Sequence, residues 1–329
     1  MAKMSASLAM AIAAIATALS GAQVEAQNVA PIEVQPIQTV TLKTAQILTG
    51  DMNGAPVTVT GELRIPKPGS ERLPAIILIH GSGGIGRNVD AWATEINSLG
   101  VAVFILDAFT GRGIVNTGSD QSQLGPLAMM IDAYRALAWL AQHPRIDPER
   151  IAVMGFSRGA VAAVYSSNER FRKLYGPATV GFAAHIGLYT PCNVHYRDDD
   201  KVGRAPIRLF HGIADDYTSI APCRDYVDRL KRAGADAILT GYPDAYHAYD
   251  ITTLSPPIAM PQAQTTRNCI LQEGDSGLVL NAKTGAIFAY APPDPCIEYG
   301  PHVGYNQAAY EATVKAVREF LMATFKLSS

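Results

Sequence analysis

The stretch Ile151-Ala152-Val153-Met154-Gly155-Phe156-Ser157-Arg158-Gly159-Ala160 constrains the fold more than any other part of the chain. An apolar run of strand length stops at a glycine. Ser157 follows, then a second glycine, then the helix-forming run from Ala160 to Tyr165. Gly-x-Ser-x-Gly with a strand before it and a helix after it marks a sharp turn that lifts a serine hydroxyl out of the end of a sheet. Such a turn holds its serine in a strained backbone conformation, and side chains at the flanking positions would strike the neighbouring strand and helix. The helix start aims backbone N–H groups at the same point. A plain strand-to-helix turn with a small polar tip would carry the same five letters. A functional reading therefore needs a base, an acid and oxyanion donors from elsewhere in the chain.

Strands and helices alternate from residue 74 onward. Pro74 to His80 and Val101 to Leu106 are continuous apolar runs, as in strands buried on both faces of a parallel sheet. Thr179 to Tyr189, Pro206 to Phe210 and Ala235 to Tyr242 supply further strands. Helices are predicted near Asp90 to Ser98, over Pro126 to Gln142, from Ser157 to about Tyr175, over Ala221 to Ala233, and over Gln307 to Phe325 with Asn306 as N-cap. Ahead of these, residues 27–36 read as a loose lead-in. Val40 to Ile47 and Pro56 to Ile65 read as an antiparallel hairpin at a sheet edge. The pattern predicts an α/β fold with a mostly parallel eight-stranded sheet and helices on both faces. Residues 251–305 break the alternation. They are Pro-rich, with a hairpin signal from Leu278 to Tyr290, and read as an insertion before the last helix.

The chain has 329 residues, 48% hydrophobic, and a net charge of −2. That supports a large core, read here as a single domain over 27–329. Near-neutral charge argues against nucleic acid or an anionic membrane as the main partner. Residues 1–26 read as an export signal: Lys3 gives the positive start, and Ala6 to Leu19 is an apolar stretch too short and weak to span a membrane. No later segment looks transmembrane. Export to a periplasmic or extracellular space turns the four cysteines into two expected disulfides. Cys269 and Cys296 flank one small segment and are paired here, which leaves Cys192 with Cys223. Metal binding is not expected, since no Cys-x-x-Cys or His-x-x-x-His spacing occurs.

A serine hydroxyl needs a base to take its proton, usually a histidine fixed by a carboxylate. His247 follows the last apolar strand, at the same sheet edge as Ser157, and is the expected base among seven histidines. His80 and His211 end strands and read as structural. Asp215, after the strand ending at Phe210, is the expected acid, ahead of its neighbour Asp216. Oxyanion donors are expected from the N–H of Arg158 and from the Gly81-Ser82-Gly83 loop, with Ser82 N–H favoured. That loop lacks the lysine of a phosphate-binding loop and the G-x-G-x-x-G spacing, so no nucleotide or other cofactor is expected. Arg112, in a Gly-rich loop near the same edge, reads as a solvated loop arginine, with contact to an anionic substrate group as the functional alternative.

The segments His80-Gly81-Ser82-Gly83-Gly84, Gly155-Phe156-Ser157-Arg158-Gly159, His211-Gly212-Ile213-Ala214-Asp215 and Tyr246-His247-Ala248 together resemble the dienelactone hydrolase family of the α/β-hydrolase superfamily. The resemblance covers roughly residues 55–250 and the last helix. It implies an α/β-hydrolase fold with Ser157, Asp215 and His247 as a triad. One departure matters: the namesake enzyme uses a cysteine nucleophile, and this chain has Ser157. That favours cleavage of a broader range of esters over dienelactone itself, through an acyl-enzyme, with a small-molecule or other ester as substrate. Two other readings use the same residues: a peptidase of the same fold, and an exported binding protein that has lost catalysis.

Overall fold

The computed structural model describes residues 32–290 and 294–327. The expected export signal at 1–26 lies outside the described residues. A single eight-stranded sheet organises the rest. Its strands are β1 (Ile32–Thr41), β2 (Ala55–Arg64), β3 (Leu73–Ile79), β4 (Ala102–Asp107), β5 (Ile146–Phe156), β6 (His185–Leu188), β7 (Ile207–Gly212) and β8 (Ala237–Tyr242). The spatial order is β1-β2-β4-β3-β5-β6-β7-β8. β2 runs antiparallel to both β1 and β4, and the pairs from β4 to β8 are parallel.

The helices are α1 (Thr44–Thr49), α2 (Arg87–Asn97), α3 (Pro126–Leu140), α4 (Arg158–Tyr165), α5 (Glu169–Tyr175), α6 (Ala221–Arg232) and α7 (Gln307–Phe325). They cover both faces of the sheet. On β3, Ile77 and Ile79 join a core with Leu127 and Met130 of α3 and Val161 of α4. Ile76 and Leu78 point the other way, into a core with Trp92 of α2 and Val317 of α7. Alternate residues of one strand thus feed two cores, which is why β3 reads as an unbroken apolar run.

Three local expectations are corrected. The lead-in and first strand are shifted: β1 starts at Ile32, and the run after Lys43 is helix α1, not strand. Pro36 is tolerated because β1 is an edge strand and Pro has no N–H to offer a further neighbour. α1 is capped by Gln46 Oε1, which accepts from Lys43 N–H at 3.0 Å, and is closed by Gly50 at φ 80°. The helix expected from Ser157 to Tyr175 is two helices. Ser166 and Ser167 turn their hydroxyls back onto Ala163 O and Val164 O, and Asn168 caps α5 by accepting from Phe171 N–H at 3.1 Å. The sixth strand is only His185–Leu188.

Both expected disulfides are present, Cys192–Cys223 and Cys269–Cys296. The 251–305 insertion folds back on itself through short pairings. Ile258–Ala259 lies against His302–Val303, Gln264–Thr265 against Glu298–Tyr299, and Leu271–Glu273 against both Val279–Asn281 and Val194–His195. Among the described residues no helix is long and apolar enough to cross a membrane.

Candidate active site

Ser157 sits at the turn between β5 and α4 with φ 52° and ψ −116°, outside the ordinary regions for a residue with a side chain. Strain of this kind persists only where the surroundings fix it. The two flanking glycines show how. A Cβ on Gly155 would lie 2.1 Å from Gly159 O, and one on Gly159 would lie 2.2 Å from Ile79 O. Ser157 N–H is itself held by Leu188 O at 3.0 Å.

Two further loops at the C-terminal edge of the sheet come together at this serine. His247 follows β8, and its Nε2 lies 2.9 Å from Ser157 Oγ. Asp215 follows β7, and its Oδ2 lies 2.8 Å from His247 Nδ1. Asp215 Oδ1 accepts from the N–H groups of Tyr217 and Thr218, each at 2.8 Å. Oδ2 also lies 3.0 Å from Thr218 Oγ1 and 3.3 Å from His211 Nε2. Burial works to raise the pKa of this carboxyl. The charge of His247 and hydrogen bonds from His211 and His247 outweigh it, and hold Asp215 well below the usual carboxylate range. The imidazole of His247 is packed between the rings of Tyr189 and Tyr217, with centroids at 4.6 and 4.7 Å. The arrangement gives a hydroxyl, an imidazole to accept its proton, and an ionised carboxylate to orient that imidazole.

Ser82 and Arg158 line the same cavity as Ser157. Arg158 is the first residue of α4, so its N–H has no acceptor within the helix. Ser82 follows Gly81 in the loop after β3, and its carbonyl is tied to Thr117 N–H at 2.8 Å. His80 is fully buried. Its Nδ1 contacts Gly81 O at 2.8 Å and its Nε2 accepts from Ala108 N–H at 3.2 Å, which makes it the brace of this loop. Burial lowers its pKa and keeps it neutral.

Arg112 is not at the site. Its guanidinium is turned into the protein, where Nη1 and Nη2 hold Asp132 at 2.7 and 2.9 Å; the two side chains are 3% and 0% exposed. Nη1 also donates to Ala108 O and Nε to Thr41 Oγ1. A buried carboxylate needs such a partner, and this one takes up the fork, so Arg112 is neither a solvated loop arginine nor a substrate contact. The expectation failed because the loop position alone gave no hint of Asp132, buried on α3.

The buried cation in the cavity is instead the side chain of Arg158. It donates to Ser82 Oγ at 3.3 Å, to Gln121 O at 3.1 Å, and closely to Leu124 O and Gln121 Oε1. Sequence reasoning used only its N–H. It also missed the insertion's share of the site: Gln264, Thr266 and Tyr290 line the cavity. Gln264 Oε1 accepts from Gln121 N–H at 2.8 Å, and Thr265 Oγ1 donates to Tyr217 O at 2.6 Å. The main chain around His247 is fastened as well, since Gly304 N–H donates to His247 O at 3.0 Å.

The family model of the dienelactone hydrolases matches residues 61–325. The chain belongs to the dienelactone hydrolase family. As a member it has the α/β-hydrolase fold, and its solved neighbours share that architecture. A dienelactone hydrolase-like promiscuous phosphotriesterase from metagenomic libraries superposes with TM-score 0.56 at 13% identity, over 89% of this chain and 98% of that one. Esterase 2 of Thermogutta terrifontis, phosphonylated by cyclosarin, superposes with TM-score 0.55 at 16% identity, over 91% and 96%. In sequence, this dienelactone hydrolase family member is 28% identical to thiohydrolase aneE of Aspergillus aculeatus over 92 residues; the match spans 28% of each chain.

Proposed function

We propose that this protein is a serine hydrolase that cleaves carboxylic esters through an acyl-enzyme. The observation that carries the reading is the pair of contacts around one imidazole: Ser157 Oγ at 2.9 Å on Nε2 and Asp215 Oδ2 at 2.8 Å on Nδ1. Ser157 Oγ attacks the ester carbonyl carbon while His247 Nε2 takes the hydroxyl proton. Asp215 stays ionised and stabilises the imidazolium. The oxyanion of the tetrahedral intermediate accepts from the N–H groups of Arg158 and Ser82. Each such donor contributes about 3 kcal/mol to the transition state. The intermediate collapses, the C–O bond to the alcohol breaks, and His247 returns its proton to the leaving alkoxide. Water, deprotonated by His247, then releases the acid and restores Ser157.

An activated ester such as 4-nitrophenyl acetate tests this. A burst of one nitrophenolate per protein, absent in Ser157→Ala, is expected; equal turnover by the two proteins overturns it. The local similarity to a thiohydrolase makes thioesters the second substrate class to assay, since the same steps cleave a C–S bond. We further propose that the protein is exported. Two disulfides and the apolar stretch Ala6 to Leu19 support this, because disulfides persist in oxidising compartments. Detection of the mature chain in a periplasmic or culture fraction tests it; purely cytosolic recovery counts against it.

A further inference from the structure

The cavity that contains Ser157 is small, about 50 Å³. It holds a short acyl or alkyl group and little more. A second cavity of about 160 Å³ lies next to it, and the two share four wall residues: Pro126, Val194, Tyr196 and Tyr290. The chemistry of the two chambers differs. The first is lined by Arg158, Gln121, Asn193 and Gln264 as well as Ser157. The second has no charged side chain in its lining; Leu271, Val279, Ile287 and Phe288 dominate it. A space of about 150 Å³ lined by aliphatic and aromatic groups is large enough to take up benzene.

The outer rim of this chamber is apolar as well. Ile287 is 62% exposed and Leu278 is 39% exposed, side by side with the buried Phe288. Apolar side chains exposed together at a cavity mouth are one mark of a ligand-binding groove. The chamber is also built jointly. Thr44 and Ala45 come from α1, and most of the remaining wall comes from the insertion. Gly277, at φ 74°, packs so closely on α1 that a Cβ there would lie 2.4 Å from Ala45 O. Neither α1 nor the insertion supplies the hydroxyl, imidazole or carboxylate of the site.

We propose that the apolar chamber is a subsite for one arm of the ester, a hydrocarbon group about the size of a benzene ring, and that its fit sets substrate preference. The inference rests on Ser157 being the nucleophile that such an ester meets. An arm of this size fits the uncharged chamber, which shares Val194, Tyr196 and Tyr290 with the reaction cavity, better than the reaction cavity itself. The reacting carbonyl stays with the polar groups.

The test compares 4-nitrophenyl phenylacetate, which places the ring on the acyl side, and benzyl acetate, which places it on the alcohol side, with 4-nitrophenyl acetate and methyl acetate. Each is assayed on the wild type and on two chamber-filling variants from different elements, Ala45→Phe and Val279→Phe, with folding checked by thermal melting. The expected result is that the ratio of aryl to small-ester kcat/KM falls about tenfold or more, through KM, for one of the two aryl esters in each folded variant. A ratio that stays within about twofold of wild type for both aryl esters overturns the subsite. Benzyl alcohol binding, followed by ligand-observed NMR, reads the chamber without turnover. Binding to wild type that is lost in Ala45→Phe upholds the subsite even if no ester is cleaved, and equal binding to both, or none to wild type, overturns it. A wild type that turns over no ester fails the ester hydrolase reading separately.

Discussion

Asp216 Oδ2 lies 2.8 Å from His302 Nδ1, and Asp216 Oδ1 accepts from the His302 backbone N–H at the same distance. Two adjacent carboxylates thus have different tasks. Asp215 faces His247, whereas Asp216 fastens the end of the insertion to the loop that carries Asp215. Arg267, also from the insertion, donates to Asp216 O at 2.8 Å and to Glu298 Oε2 at 2.7 Å, which closes the network.

The division of labour predicts two distinct phenotypes. Asp215→Asn should lower kcat by about 10⁴-fold, since His247 loses the carboxylate that fixes its tautomer. Asp216→Asn should lower kcat/KM by about tenfold or less, chiefly through KM, because it loosens the wall formed by Gln264 and Thr266 without touching the imidazole. Steady-state kinetics of the two variants on one ester decide it. Equal losses of kcat in both would show that Asp216 serves the chemistry.

Removing the wrong member of the buried pair Arg112–Asp132 should be costly. Arg112→Ala leaves Asp132 uncompensated with 0% exposure, and a loss of about 3–5 kcal/mol in unfolding free energy is expected. The double variant Arg112→Met/Asp132→Leu should recover most of it, because no buried charge remains. Activity per folded molecule should match wild type, as neither residue lines the cavity. Urea unfolding combined with active-site titration measures both quantities.

Acid should weaken the fold through His185. It is buried on β6, with Nδ1 2.9 Å from Ala163 O, and burial pushes its pKa from 6.5 down to about 4. Between those values the unfolded chain binds the extra proton and the folded chain does not. Stability from this group is therefore full above pH 6.5 and falls as the pH drops towards 4, by on the order of 3 kcal/mol in total. Asp215 works in a lower window: the charge of His247 and the hydrogen bonds from His211 and His247 hold its folded carboxyl below the ordinary carboxylate value, so its contribution is full above that value and is lost only as the pH falls through the folded pKa. Melting from pH 7 to pH 4 should show a shallower decline in His185→Leu than in wild type. Parallel declines would remove His185 from the account.

Loss of the Cys269–Cys296 bond should loosen the insertion without detaching it from the core. Cys269 and Cys296 close a loop with a sequence separation of 27, worth about 3 kcal/mol of stability in the chain-entropy account. Since the insertion supplies Gln264, Thr266 and Tyr290 to the cavity, Cys269→Ser/Cys296→Ser should raise KM while leaving phosphonate labelling of Ser157 intact. Loss of labelling would mean that the insertion holds the reacting groups themselves.

Most of the sheet was legible because its strands are buried on both faces, which writes them as unbroken apolar runs between glycines. The elbow was legible for a similar reason: close packing at Gly155 and Gly159 excludes any side chain, so it leaves a mark in the letters. The position of α1 was not, because Ile47 and Leu48 fit a strand as well as a short helix until Gln46 is seen to cap it. The insertion's role was hidden by distance along the chain. Nothing near Gln264 or Tyr290 in sequence points to Ser157, and the contacts that seat them, such as Gln264 with Gln121, pair residues 143 positions apart. Arg112 misled because a loop cation and a buried ion pair look alike until the partner on another helix is known.

The central claim is that Ser157 is a nucleophile activated by His247. The most direct measurement is labelling by a fluorophosphonate, with the modified residue mapped by mass spectrometry in wild type, Ser157→Ala and His247→Ala. The account predicts one adduct, on Ser157, absent in Ser157→Ala and slowed by at least about 10³-fold in His247→Ala. Folded wild type that takes no label, or takes it at another residue, or labels as fast without His247, would contradict it.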